Sequence, residues 1–154
     1  EEVETSSNKL VPKRNMIRLD EGYLPGHIII LWRVQFGTYT NETVISKYFE
    51  YKYGIDAKKE MDILIQDGYV IELGALDSLE FQTAGQLKNY LKNKGIHGYS
   101  KMTKAQLVEA IQEHFSEEEL GNLFTIRKYI LTNSGEKLLN KYPEIIDKHP
   151  KKKF

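Results

Sequence analysis

Residues 83–111, TAGQLKNYLKNKGIHGYSKMTKAQLVEAI, restrict the fold because they hold two helix starts on either side of a glycine break. Thr83 with Gln86, and Thr103 with Gln106, have the capping-box spacing, in which each side chain satisfies a backbone N–H that the first helical turn leaves unpaired. The spacing predicts short helices starting near 84 and 104. In the first, Leu87 and Leu91 share one face while Lys88 and Lys92 repeat the same interval on the next. One face therefore packs and the other meets water or phosphate. Gly95 suits the left-handed residue that closes a helix, with Ile96 as its apolar contact, and the second helix buries Leu107, Val108 and Ile111. A third box, Ser116 with Glu119, makes SEEEL a helix start whose acids favour the positive end of the dipole, not a metal site.

Charge is distributed to match. The chain has 22 basic and 22 acidic residues, yet 83–111 carries Lys88, Lys92, Lys94, Lys101 and Lys104 with no acid before Glu109. Residues 125–154 hold eight basic and three acidic residues. A local positive face is sufficient for phosphate contact without a net basic chain. Tyr99 and Ser100, between the two helices, offer stacking and a hydroxyl contact.

The series Thr83, Leu87, Lys88, Leu91, Gly95, Ile96, Lys104, Leu107, Val108, Ile111 resembles the SAP motif, a helix-extended loop-helix unit associated with DNA binding. GIHGYSKMTKAQLVEAI is similar to the N-terminal helical domain of the bacterial terminator Rho and to related phage modules. The interval from Gly95 to Lys104 is longer than in a typical SAP motif, and the glycine usually preceding its lysine is absent. The resemblance implies nucleic-acid binding.

Elsewhere, residues 1–22 are polar and lack a sustained apolar period, so they read as a flexible arm. HIIILWRV, after Pro25 and Gly26, predicts a helix buried on most sides, with a strand as the alternative. Thr40 or Asn41 caps a second helix through about Tyr48, and YFEYKYGI breaks at Gly54. Tyr48, Phe49, Tyr51, Tyr53 and Trp32 read as core residues more readily than as a stacking platform. Asp56 caps a third helix, AKKEMDILIQD, which ends at Gly68 and leads into the strand YVIEL. A returning strand is expected in RKYILTNSGEKLLNKY, so that 69–73 pair with 128–132.

Leu64, Gly68, Tyr69 and Val70, then Tyr129, Leu131, Thr132 and Gly135, resemble the strands entering and leaving the wing of MarR- and PadR-like winged-helix regulators. The resemblance implies a mainly α fold with a small β wing (α+β). The architecture so implied is a winged helix-turn-helix carrying the SAP/Rho-like module in the wing, since loop tips accept insertions. Expected boundaries are a flexible arm at 1–22, the first winged-helix part at 23–78, the module at 79–124, the return strand and C-terminal helix at 125–147, and a solvated basic tail at 148–154. The combination is also similar to uncharacterised SAP-domain proteins of low-GC Gram-positive bacteria and their phages.

In such a fold the third helix presents Lys58, Lys59, Asp62 and Gln66 to the major groove, with Glu60 and Asp62 opposing the lysines. Lys47 and Lys52 are further candidates for backbone contacts. The absence of cysteine excludes disulfides and thiolate chemistry and fits a cytoplasmic location, and HIIILW is too short to span a bilayer. The four histidines are isolated, and neither a phosphate-cradling glycine loop nor a nucleophile elbow occurs. The chain is expected to be non-catalytic, with no cofactor or small-molecule substrate. Two functions stand. One is DNA or RNA binding through Lys88, Lys92, Lys94, Tyr99, Ser100, Lys101, Lys104, Lys58 and Lys59. The other is protein docking, which winged helices and the related LEM modules also perform.

Overall fold

The computed structural model describes residues 2–4 and 10–150. It is mainly helical, and its chain divides into two compact units. The first takes residues up to 39, 43–72 and those from 129 onward; the second takes 40–42 and 73–128.

The first unit is built on α1 (Pro25–Gln35), where Ile28, Ile29, Ile30 and Leu31 are all fully buried. The HIIILWRV run is therefore helix and not the alternative strand, and four consecutive buried apolar residues in a helix require cover on every side. The covering elements are α3 (Ala57–Gln66), α7 (Asn133–Lys141), α8 (Pro143–Lys148) and β4 (Tyr129–Leu131). Asp56 caps α3, its carboxylate accepting the Lys59 N–H at 3.2 Å. Strand β3 (Val70–Glu72) pairs antiparallel with β4, Ile71 opposite Ile130, within the register expected for 69–73 and 128–132. Gly135 allows the first turn of α7 to approach: a Cβ there would lie 2.1 Å from the Tyr69 carbonyl oxygen.

Three expectations are corrected. The stretch 1–22 is not a featureless arm: β1 (Glu2–Glu4) pairs antiparallel with β2 (Leu10–Pro12), and a 3-10 turn follows at Lys13–Met16. Residues 1 and 5–9 lie outside the described part. Val11 is fully buried, Met16 and Leu19 pack on the first core, and the Asn15 side-chain amide donates to the Lys52 carbonyl at 2.7 Å. These apolar residues are too sparse to show a period, yet each finds a prepared surface.

The helix expected from 41 to 48 is absent, and α2 is one turn at Tyr48–Tyr51. Its proposed caps are engaged elsewhere. The Thr40 hydroxyl accepts the Glu42 N–H at 3.1 Å, and the Asn41 side chain donates to the Thr125 carbonyl and accepts the Arg127 N–H. The β-branched run Thr43, Val44, Ile45 adds a propensity cost, and Val44 stands 88% exposed. Of the aromatics read as core, Phe49 and Tyr53 are buried and Tyr48 and Trp32 pack on that cluster, but Tyr51 is exposed.

The expected solvated tail at 148–154 does not hold for its first two residues: Lys148 ends α8, and His149 is buried against the Trp32, Tyr48 and Tyr53 rings. Residues 151–154 are outside the described part.

The second unit has its own core of Leu79, Leu87, Leu91, Leu107, Ile111 and Leu120, each at most 1% exposed. Helices α4 (Ala84–Asn93) and α5 (Lys104–His114) pack together, followed by α6 (Glu117–Gly121). All three expected capping boxes form, on Thr83, Thr103 and Ser116. Among the described residues no helix is long and apolar enough to cross a membrane.

Candidate nucleic-acid interface

The lysines of 83–111 share a segment but not an environment. Lys88, in the first half of α4, donates from Nζ to the Ser100 carbonyl at 3.3 Å, which ties the helix to the loop between α4 and α5. Lys104, the first residue of α5, donates to the Glu80 carbonyl at 2.6 Å. Both acceptors are neutral carbonyls, so neither bond is an ion pair. Lys92 and Lys101 are exposed and, among the described residues, have no ion-pair or hydrogen-bond partner.

Lys94 differs. It pairs with Glu119 at 2.8 Å, donates to the His114 carbonyl, and lies 4.3 Å above the Phe115 ring. This lysine braces the ends of α4 and α5 against α6, and its charge is matched internally. The carboxyl of Glu119 is held below its usual range, chiefly by the hydrogen bond from Lys94. No local sequence signal foretold the pair, because the partners lie 25 residues apart.

Two further electrostatic features frame the lysine face. Neither α4 nor α5 has an acid in its first turn, whereas α6 has Glu117, Glu118 and Glu119. Glu117 does structural work: its carboxylate accepts the Ala75 N–H at 2.7 Å and the Leu76 N–H at 3.0 Å. The hydrogen bond from Leu76, followed by that from Ala75, draws its pKa down against the opposing effect of burial. At the start of α5, Thr103 accepts the Gln106 N–H, leaving the Lys104 and Ala105 amides at a positive dipole end beside Lys101. Lys104 itself sits at the unfavourable end for a cation, and an anion there would relieve that cost.

Gly95 has φ +80°, as the left-handed closure of α4 requires, and Gly98 has φ +86° within the loop. Ser100 is exposed, but Tyr99 is half-buried and, like Ile96 and Met102, packs on the second core. Its ring is thereby committed to packing on at least one side.

Lys58 and Lys59 are exposed at the start of α3. Asp56 caps that same turn and Asp62 is exposed one turn on, so the field there is mixed. Glu60 instead turns inward, its carboxylate 3.1 Å from Nε2 of the buried His27. Of the basic residues after 125, Lys128 pairs with Glu80 at 2.8 Å, and Arg127 donates to the Phe124 and Ile126 carbonyls, both at 2.8 Å. These two cations serve the second unit's own structure. No protein-family model, no curated protein and no solved structure matches the chain.

Proposed function

We propose that the protein is a non-catalytic nucleic-acid-binding accessory factor, with DNA as the expected ligand, contacting phosphates through Lys88, Lys92, Lys101 and Lys104. The observation that carries this reading is the start of α5, where amides unpaired among the described residues and an acid-free first turn coincide with Lys101 and Lys104. Lys88, bonded to the Ser100 carbonyl, adds a third charge next to Lys101. Together they supply cations and a dipole end of one sign on a small helical scaffold, the combination that backbone binding uses. Lys94 has no part in this contact, since its charge is matched by Glu119.

In the same reading the first unit is a winged helix-turn-helix whose wing is β3 and β4, and 73–128 is a SAP/Rho-like module interrupting it in sequence. The two compact units and the β3–β4 pairing support this assignment. Lys58 and Lys59 of α3 are auxiliary contacts, weakened by Asp56 and Asp62.

Fluorescence anisotropy of a labelled duplex and the matching single strand, followed across a salt series, tests the proposal. Micromolar binding whose logarithm falls linearly with log salt is expected, with about 0.9 in slope for each duplex phosphate neutralised. The double variant Lys92→Glu/Lys101→Glu breaks no side-chain bond among the described residues and should lower the slope by about two. Unchanged binding by that variant would remove the lysine face from consideration. A stoichiometric protein partner, retained through nuclease treatment and high salt, would favour the docking reading instead.

A further inference from the structure

The first unit contains a cleft of about 150 Å³ in which chain from both ends meets the turn after α2. Three cations line it: Arg14 from the 3-10 turn, Lys52 from the end of α2, and Lys148 from the end of α8. Glu144 is the single acid among the lining residues. Among the described residues, none of the three cations has a carboxylate in ion-pair contact.

The walls are held in place independently of any ligand. Pro12, Pro25 and Pro150 contribute rigid surface, and the Asn15 amide is pinned to the Lys52 carbonyl at 2.7 Å. Tyr53, only 4% exposed, has its hydroxyl at 2.5 Å from Nδ1 of His149. Three cations and one acid leave the lining of the cleft net positive. An anion in the cleft would complement that charge.

The geometry points to this cleft as a binding site for a phosphate group, with the Arg14 guanidinium supplying a two-pronged contact and Lys52 and Lys148 point charges. The site lies wholly in the first unit and does not rest on the function assigned to the second. Its phosphate comes from either a small phosphomonoester or a nucleic-acid backbone.

Amide NMR of the full chain, titrated with inorganic phosphate at constant ionic strength, tests the site. Saturable shifts are expected at Asn15, Lys52 and Tyr53. Arg14→Gln and Lys52→Gln, each with its spectrum otherwise intact, should weaken binding roughly tenfold or more. Thermal midpoint should rise with phosphate relative to chloride of equal ionic strength, and the rise should vanish in Arg14→Gln. Shifts that grow linearly without saturating, or that persist unchanged in Arg14→Gln, would overturn the proposal.

Glycerol phosphate and an oligonucleotide without terminal phosphates then separate the sources. Arg14-dependent saturation by glycerol phosphate alone supports a small ligand, and the same response to the oligonucleotide supports backbone phosphate. Failure of Lys92→Glu/Lys101→Glu to alter nucleic-acid binding would leave this result untouched, so the two readings fail separately.

Discussion

Lys94 and Glu117 show how a residue's chemical type leaves its task open. A lysine in a run of lysines reads as surface charge, yet Lys94 is bound to Glu119 and the His114 carbonyl. An acid in a run of acids reads as dipole compensation, yet Glu117 receives two backbone N–H groups from the loop at Ala75 and Leu76. Because the carboxyl pKa of Glu117 is lowered on folding, its contribution is present above the ordinary carboxylate value and is lost as pH falls through the depressed one. Thermal melts through the acid range should therefore show destabilisation that is partly abolished in Glu117→Gln; an identical acid profile in that variant would refute this role. At Gly135 the constraint is steric, since the nearest atom to an added Cβ is a backbone oxygen that cannot rotate away. Gly135→Ala should cost on the order of 1–3 kcal/mol in a urea titration, the usual range for overpacking.

Among elements, the contrast between α4 or α5 and the missing helix at 41–48 is instructive. Both regions have cap residues and helical spacing, but the caps of α4 and α5 each accept the N–H three residues on, whereas Thr40 accepts the N–H only two residues on and Asn41 bonds to distant backbone. A cap is informative when nothing else competes for its oxygen, and Asn41 is claimed by the backbone at Thr125 and Arg127. Burial then separates the apolar residues that matter. Leu87→Ala or Ile111→Ala, each at 0% exposure, should lose about 2–5 kcal/mol on denaturant unfolding. Val44→Ser, at 88% exposure, should change stability by about 0.5 kcal/mol or less. Equal effects at the two kinds of site would contradict the description of the second core.

For the whole molecule, net neutrality conceals unlike local fields. The chain has 22 basic and 22 acidic residues, yet among the described residues Lys92 and Lys101 have no partner while Lys94 pairs with Glu119 and Lys128 with Glu80. Nucleic-acid affinity should accordingly respond to Lys92→Glu/Lys101→Glu and little to Lys94→Gln, whereas the thermal midpoint should respond in the opposite order. Anisotropy and melting curves on both variants measure this. A Lys94→Gln variant that binds as poorly as the double variant would mean that the face extends to α6.

Capping and periodicity act within a few residues, which is why the positions of α1, α3, α4, α5 and α6 were legible in the sequence. The β3–β4 partnership was expected on other grounds: a strand following three short helices reads as one arm of a wing, which needs a returning strand, and the observed pairs fall within that register. What tertiary structure alone decided were relations across long separations. Val11 became buried, and Met16 and Leu19 came to pack against the first core, only because distant surface met them, and Asn41 lost its cap role to residues more than 80 positions away. The grouping of Arg14, Lys52 and Lys148 about one cleft is of the same kind. Side-chain charge is written residue by residue, but whether a charge is matched, buried or left for a ligand depends on which distant atoms the folded chain brings within a few ångströms.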